Sequence, residues 1–468
     1  MTIQFLFPEL LLVFFAVAVL FGSVSNFFKK FTPVVAALGL LGALLLLPAA
    51  SQSSTAVFFH LLEADTISAF FRTLILIGSA LIVFLSMGEP QIQEQDRGEF
   101  YFFILTLAIS MMIAVSSRNL LMIYIALETV SIISYILVGY LKQDAFSSEA
   151  GLKYFLFGAL STGIMLYGIS LLYGLFGTLD LPTMAAAVKQ EHIYFPIFIL
   201  SMVFVLAGLA FKCSLVPFHM AAPDAYQGAP TPISAFLSIG PKAMGFALLL
   251  RVFLGTPTPL IAKWSALAQW LAIITMTLGN IIALKQTNVK RLLAYSSIAH
   301  AGFMLMALAA VNASGIKALL FYLFIYVFMN VGAFGCVVLT QRQEVAQYAG
   351  LSRQYPFAAF VMSISLLSLA GLPPLAGFMA KFVVIAAAIQ AKLYLLAIIA
   401  VLNSVIALFY YLRIIKAMYL SKTEIGGQLN STVPHSRALI LALTLTLLVN
   451  ILLGLWPQGL MPWLSLSP

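Results

Sequence analysis

Apolar runs of about 20 residues, separated by short polar breaks, recur along the whole chain, and this is the length a helix needs to cross roughly 30 Å of hydrocarbon. About fourteen such windows can be read, near 5–23, 33–50, 66–87, 99–115, 117–140, 150–175, 195–219, 231–254, 261–284, 291–311, 313–338, 356–391, 393–420 and 436–456. In lipid every backbone N–H and C=O must be paired within its own segment, so the pattern predicts an all-α integral membrane protein. Two windows are interrupted. The seventh contains Pro217, and the twelfth, which is also the longest, contains Gly371-Leu-Pro373-Pro374 followed by Gly377. Proline removes a donor from the ladder, so both segments are expected to be broken helices, serving either as packing kinks or as functional breaks.

Composition agrees: 62% of the 468 residues are hydrophobic and 8% charged, with mean hydropathy +1.07, too apolar for a soluble domain of this length. The first window begins MTIQFLFPELLLVFF, with no basic leader and no small-residue cleavage site, and is expected to be a retained helix. The net charge of +9 is scattered rather than gathered in one patch, which argues against nucleic acid as a partner. Orientation explains it better. The odd-numbered loops hold Lys29, Lys30, Lys142, Lys285, Lys290, Arg291, Arg342, Arg353, Lys422 and Arg437, about twice the Lys and Arg of the even ones. That bias predicts cytoplasmic odd loops and both termini on the non-cytoplasmic side.

Cys213 and Cys336 stand alone in separate apolar segments, and neither a dinucleotide fingerprint nor a phosphate-binding loop is present. No cofactor, metal or redox centre is therefore expected in this chain.

An internal repeat is legible. SRNLLMIYIALETVSI (117–132) lines up with the region of TNVKRLLAYSSIAHAG (287–302) when Asn119 is set on Asn288, an offset of 288 − 119 = 169. The same offset places Gly208 on Gly377 and Lys212 on Lys381, and Gly151-Leu-Lys153 resembles Gly315-Ile-Lys317 at an offset of 164. Each copy spans five segments, roughly 99–254 and 261–420, preceded by a three-helix region 1–98 and followed by a C-terminal helix in 421–468. An odd number of crossings forces the second copy to enter the membrane from the opposite side, so two inverted five-helix repeats are predicted, with interrupted helices at what read as corresponding places beside a lysine.

Charges inside these segments are the candidate chemistry. A mid-membrane Lys costs roughly 2.5–3.5 kcal/mol on insertion scales, so it faces a wet interior or a partner. Lys212 lies near the seventh break, Lys381 follows the twelfth, and Lys242 sits centrally in SIGPKAMGFALLL. Glu128 is the one acid of the fifth segment, and Lys212 or Lys242 is its candidate cation, as a proton-exchanging pair or as a static ion pair that fixes packing. His300 is placed for a relay or for hydrogen-bonded packing. Lys153 and Lys317 either mark interfaces or join the same axis.

ALETVSIISYILVGY, SSEAGLKYFLFGALSTGIMLYGISLLYGLFGTL, FKCSLVPFHMAAPDAYQGAPTPISAFLSIGPKA, LKQTNVKRLLAYSSIAHAGFML and AGLPPLAGFMAKF closely resemble the antiporter-like subunit N family of bacterial NADH:quinone oxidoreductase, respiratory complex I, from about residue 95 to 420. The resemblance implies proton translocation across a bacterial inner (plasma) membrane, driven by flavin, iron–sulfur clusters and quinone held in partner subunits: neighbouring antiporter-like membrane subunits and a peripheral redox arm. It further implies Glu128 and Lys212 as the adjustable pair of one half-channel, Lys242 as the link to the centre, His300 on the connecting axis, and Lys381 as the exchange site of the second half-channel. Met220-Ala-Ala-Pro-Asp224 departs from the family, which usually has a tryptophan and a threonine before Pro-Asp. The lysine-in-broken-helix pattern is shared with multisubunit cation/proton antiporters, which are the rival reading.

Overall fold

The computed structural model describes residues 4–25, 28–50, 55–58, 61–94, 96–190, 194–254, 258–421 and 436–460; Lys422 lies outside them. The helices are α1 (Phe7–Gly22), α2 (Thr32–Ala50), α3 (Thr66–Ser86), α4 (Arg97–Ser116), α5 (Leu120–Val138), α6 (Ala145–Phe176), α7 (Leu181–Gln190), α8 (Phe195–Cys213) and α9 (Ala221–Gly228). They continue with α10 (Thr231–Leu254), α11 (Thr258–Ala283), α12 (Val289–Ala309), α13 (Ala313–Thr340), α14 (Leu351–Gln354), α15 (Pro356–Ala370), α16 (Ala376–Gln390), α17 (Tyr394–Leu420) and α18 (Arg437–Leu455). One small antiparallel hairpin, β1 (Thr55–Val57) with β2 (Leu62–Ala64), pairs Thr55 with Ala64.

Among the described residues thirteen helices are long and apolar enough to cross a membrane. The shorter α15 and α16 together make the twelfth segment, so fourteen segments stand where the hydrophobic pattern put them. Burial separates inner from outer helices. The apolar window of α10 is 100% buried, that of α12 94% and that of α13 89%, against 28% for α18. A helix apolar all round belongs in the middle of such a bundle, and α10, α12 and α13 form that middle, so polar groups on them face protein rather than lipid.

The two ends of the bundle differ. At one end Arg251 of α10 reaches the Val115 carbonyl at 2.8 Å and Asp65 at 2.9 Å, and Arg118 pairs with Asp180 at 2.8 Å, beside the hairpin. At the other, Arg413 donates to the Leu284 carbonyl at 3.0 Å, Tyr140 to the Asp96 carbonyl at 2.6 Å, and Arg291 pairs with Asp224 at 2.5 Å. Lys142, Lys285 and Arg342 in loops, with Lys290 and Arg291 in the first turn of α12, gather at this second, basic face.

The repeat is written into helix starts. Asn119 caps α5, accepting from the Leu121 N–H at 2.9 Å, and Asn288 caps α12, accepting from the Arg291 N–H at 3.2 Å. Each also forms an isolated bridge to a following loop, Asn119 with Asp180 and Asn288 with Glu344. The first anchor lies at the hairpin face and the second at the basic face, as inversion requires.

Both breaks are present, but not at corresponding positions. The chain leaves α8 at Ser214, in the left-handed region at φ 56°, passes a cis Val216–Pro217 peptide and resumes helix at Ala221. It leaves α15 at Gly371, φ 87°, passes a cis Pro373–Pro374 peptide and resumes at Ala376. With the offset of 169, Pro217 falls on Ala386, whose N–H lets α16 continue unbroken. Lys212 thus precedes its break, whereas Lys381 follows its own. The second break also requires a close approach: a Cβ on Gly377 would stand 1.8 Å from the Ser368 carbonyl oxygen.

Candidate functional site: a buried lysine axis

Lys212, in the last turn of α8, is 4% exposed, and its Nζ has no hydrogen-bond partner among the described residues. The Tyr135 ring lies 5.8 Å away, and that tyrosine's hydroxyl is also unpartnered. Glu128 projects from α5 with Oε1 buried and unpartnered. Glu128 lies within electrostatic reach of Lys212, yet the two are not in ion-pair contact among the described residues. The arrangement is therefore an open cluster of polar groups between α5 and α8, not a closed salt bridge.

Gly245 lets α10 approach α8 here, since a Cβ on it would lie 2.6 Å from Cys213 Sγ and 3.4 Å from Lys212 Cβ. One turn earlier on α10 is Lys242, fully buried. Its Nζ donates to the Ser297 carbonyl at 2.6 Å and also contacts the Ser297 hydroxyl closely, with the Tyr326 ring 5.9 Å away. Lys242 is bound to α12 and not to Glu128.

Helix α12 then carries the sequence of contacts onward. His300, three residues after Ser297, hydrogen-bonds through Nδ1 to the Tyr322 hydroxyl at 2.6 Å and through Nε2 to the Tyr411 hydroxyl at 3.4 Å. Tyr411 in turn contacts Ser296. Phe303, three residues further, presents its ring 4.8 Å from Lys381 Nζ. Residues spaced by three share one helix face, so Ser297, His300 and Phe303 form a spine between Lys242 and Lys381, and both lysines lie within electrostatic reach of His300. Lys381 donates to the Ala370 carbonyl, the last residue of α15, at 2.8 Å. That carbonyl is freed by the break at Gly371, Pro373 and Pro374. A backbone interruption at membrane depth is tolerated where protein groups take up what it frees, and here the lysine does so.

The outlying lysines divide. Lys153 pairs with Asp224 at 3.1 Å and Glu149 at 2.7 Å, and Asp224 also holds Arg291, so Lys153 belongs to an ionic knot at the basic face. Lys317 is exposed at the start of α13 and is not brought to the axis. The sequence reading did not single out Ser297, Tyr322, Tyr411 or Asp224 as site residues. Hydroxyls are common in membrane helices and carry no spacing signal, while Asp224 was visible only as part of the Pro-Asp dipeptide. Cys213 and Cys336 are free and buried.

Fold and axis together define a polytopic membrane protein of the antiporter-like class, with inverted repeats and lysines at broken helices. Residues 117–407 match the family described as NADH:quinone oxidoreductase/Mrp antiporter, TM. The NADH-quinone oxidoreductase subunit N of Paramagnetospirillum magneticum is 40% identical over 462 residues, covering 94% of each chain. A chain in the structure of respiratory complex I from Thermus thermophilus superposes with TM-score 0.84 at 33% identity, covering 98% of this chain and 100% of that one. A chain of the Mrp complex from Dietzia sp. shares the fold, with TM-score 0.84 at 20% identity, covering 99% and 96%. This chain belongs to the NADH-quinone oxidoreductase subunit N family.

Proposed function

We propose that this chain is a proton-translocating membrane subunit of a complex I-type NADH:quinone oxidoreductase, in which 99–254 and 261–420 each build a half-channel. The observation that carries the reading is the spine of α12, where Ser297, His300 and Phe303 join Lys242 to Lys381 through the most buried part of the bundle. Buried ammonium groups that contact serine and backbone oxygens, instead of carboxylates, are free to give up a proton without leaving an acid uncompensated. Glu128 sets the charge felt by Lys212. Lys212 exchanges with the centre at Lys242, His300 and its tyrosine partners relay, and Lys381 exchanges at the second break. Electrons are handled elsewhere: flavin, iron–sulfur clusters and quinone belong to partner subunits, including a redox arm and neighbouring antiporter-like subunits. The gathering of basic loop residues on one face supports placing that face in the cytoplasm, with both termini on the other side of a bacterial inner membrane.

Isolation in mild detergent tests this reading. Tagged chain is expected to co-purify with flavin- and quinone-binding subunits and with NADH:quinone reductase activity. Recovery in a complex of antiporter subunits, without redox centres, would favour a cation/proton antiporter instead.

A further inference from the structure

The loop between α3 and α4, on the basic face, hides a carboxylate that the lysine axis does not use. Glu89 is 2% exposed. Its Oε1 accepts from the Gln91 N–H at 3.3 Å and from Nε2 of Gln341, the residue just past α13, at 3.4 Å, while Oε2 is buried without a partner among the described residues. A carboxylate kept only to fix a loop is expected to have both oxygens satisfied. The charged group whose field reaches it is Lys290 of α12, beyond ion-pair contact and itself 2% exposed. Asp144, before α6, also acts on Lys290.

Lys290 points the way inward. Its Nζ donates to the Ala229 carbonyl at 2.6 Å, in the turn joining α9 to α10. One turn earlier on α9 is Tyr226, whose hydroxyl is 3.5 Å from the Ser297 hydroxyl, the group that holds Lys242. Ser297 is also seven residues from Lys290 along α12, on the same face and about 10 Å along the axis. The last turn of α9 and the first turns of α12 therefore lie between Glu89 and Lys242, along a route that does not pass Lys212.

We propose that Glu89 is the proton-loading carboxyl of a second inlet from the basic face, feeding Lys242 through Lys290 and the Tyr226–Ser297 pair. The carboxylate takes a proton from water at that face and passes it, through intervening water, to the neutral amine of Lys290, which restores the carboxylate. The Lys290 ammonium then releases a proton, carried by water along the first two turns of α12, to the Tyr226 hydroxyl, which passes its own to Ser297. Ser297 passes its own to the neutral amine of Lys242, so one proton advances and each hydroxyl is regenerated. Glu89 itself suits loading at neutral pH. Burial, the largest influence, pushes its carboxyl up to about 7 against the opposing pull of the Gln91 N–H, Lys290 and Gln341. It is protonated below that pH and ionised above it.

This inlet rests on the translocation reading above, and the test separates the two. The assembled complex is purified with Glu89→Gln, Glu89→Asp, Lys290→Met or Lys242→Met, reconstituted in liposomes, and assayed for redox-driven proton uptake on either side of pH 7. Glu89→Gln and Lys290→Met are expected to lose the part of pumping that titrates near pH 7, Glu89→Asp to keep it with a displaced midpoint, and Glu89→Gln with Glu128→Gln to lose more than either alone. If Glu89→Gln does not assemble, Lys290→Met and Glu89→Asp decide by the same profile. A wild-type profile in the Glu89 and Lys290 variants, where pumping by Lys242→Met falls well below wild type, would overturn the inlet alone. Normal pumping by Lys242→Met as well would overturn the translocation reading and the inlet with it.

Discussion

Replacing Lys381 with Met is expected to cut redox-driven proton pumping by about 10²-fold, the scale of losing a positioned proton-transfer group, and replacing it with Arg is expected to rescue little. Lys381 has two separable properties. As a cation it donates to the Ala370 carbonyl at the C-terminal end of α15 and faces the Phe303 ring. As an amine it can also exist without its proton. Arg retains the first property and loses the second, because guanidinium stays charged at any accessible pH. The methylenes of Lys381, which Arg shares, fill the niche left by Gly371, where a built Cβ would lie 2.8 Å from Lys381 Cδ. If the residue only pins the broken segment, Arg restores function and Met does not. If it exchanges protons, both fail. Proton uptake by inverted membranes, normalised to complex content on native gels, distinguishes the two, and near wild-type pumping by the Arg variant would end the exchange role.

The second large effect is expected for Glu128→Gln. Glu128 and Lys212 sit apart, each with an unpartnered polar atom, so the acid acts on the lysine through its field and not through a contact that holds helices together. Removing one partner of a closed buried pair typically costs 3–5 kcal/mol; without such a pair here, the Gln variant is expected to assemble normally. Pumping is expected to fall roughly tenfold, below the 10²-fold scale of a group that transfers the proton itself, because Glu128 tunes rather than transfers. Loss of assembled complex would instead mark Glu128 as structural, and wild-type pumping would remove it from the pathway.

Much of this was legible because lipid imposes strict rules. Window length set the fourteen segments, and Pro217 and Gly371 to Pro374 marked the two interruptions. Asn119 and Asn288, set on each other as repeat anchors, are two residues that the structure shows capping helices at opposite faces. Intramembrane charges stood out by their cost, so Lys212, Lys242, Lys381, Glu128 and His300 could be named, and four of these five line the buried interior with Glu128 at its edge. Contact partners were not legible. The pairing of Lys242 with Ser297 depends on how α10 crosses α12, which no local pattern encodes. Glu89 carried no signal of its own, because its contact with Gln341, 252 residues away, leaves no trace in its neighbours. The repeat offset misled in one respect: it matched the lysines but not the breaks, since proline lies on opposite sides of them.

The central claim is that protons move along the axis through Lys242, and the protons translocated per NADH oxidised by complexes carrying Lys242→Met test it most directly. Reconstituted complexes are compared with wild type at matched content and with the membrane potential collapsed by a permeant ion. Lys242 has no carboxylate contact and its amine is bound to α12, so the Met variant is expected to assemble while proton translocation falls well below the wild-type value. An assembled Met variant that translocates the wild-type number of protons would contradict the lysine axis.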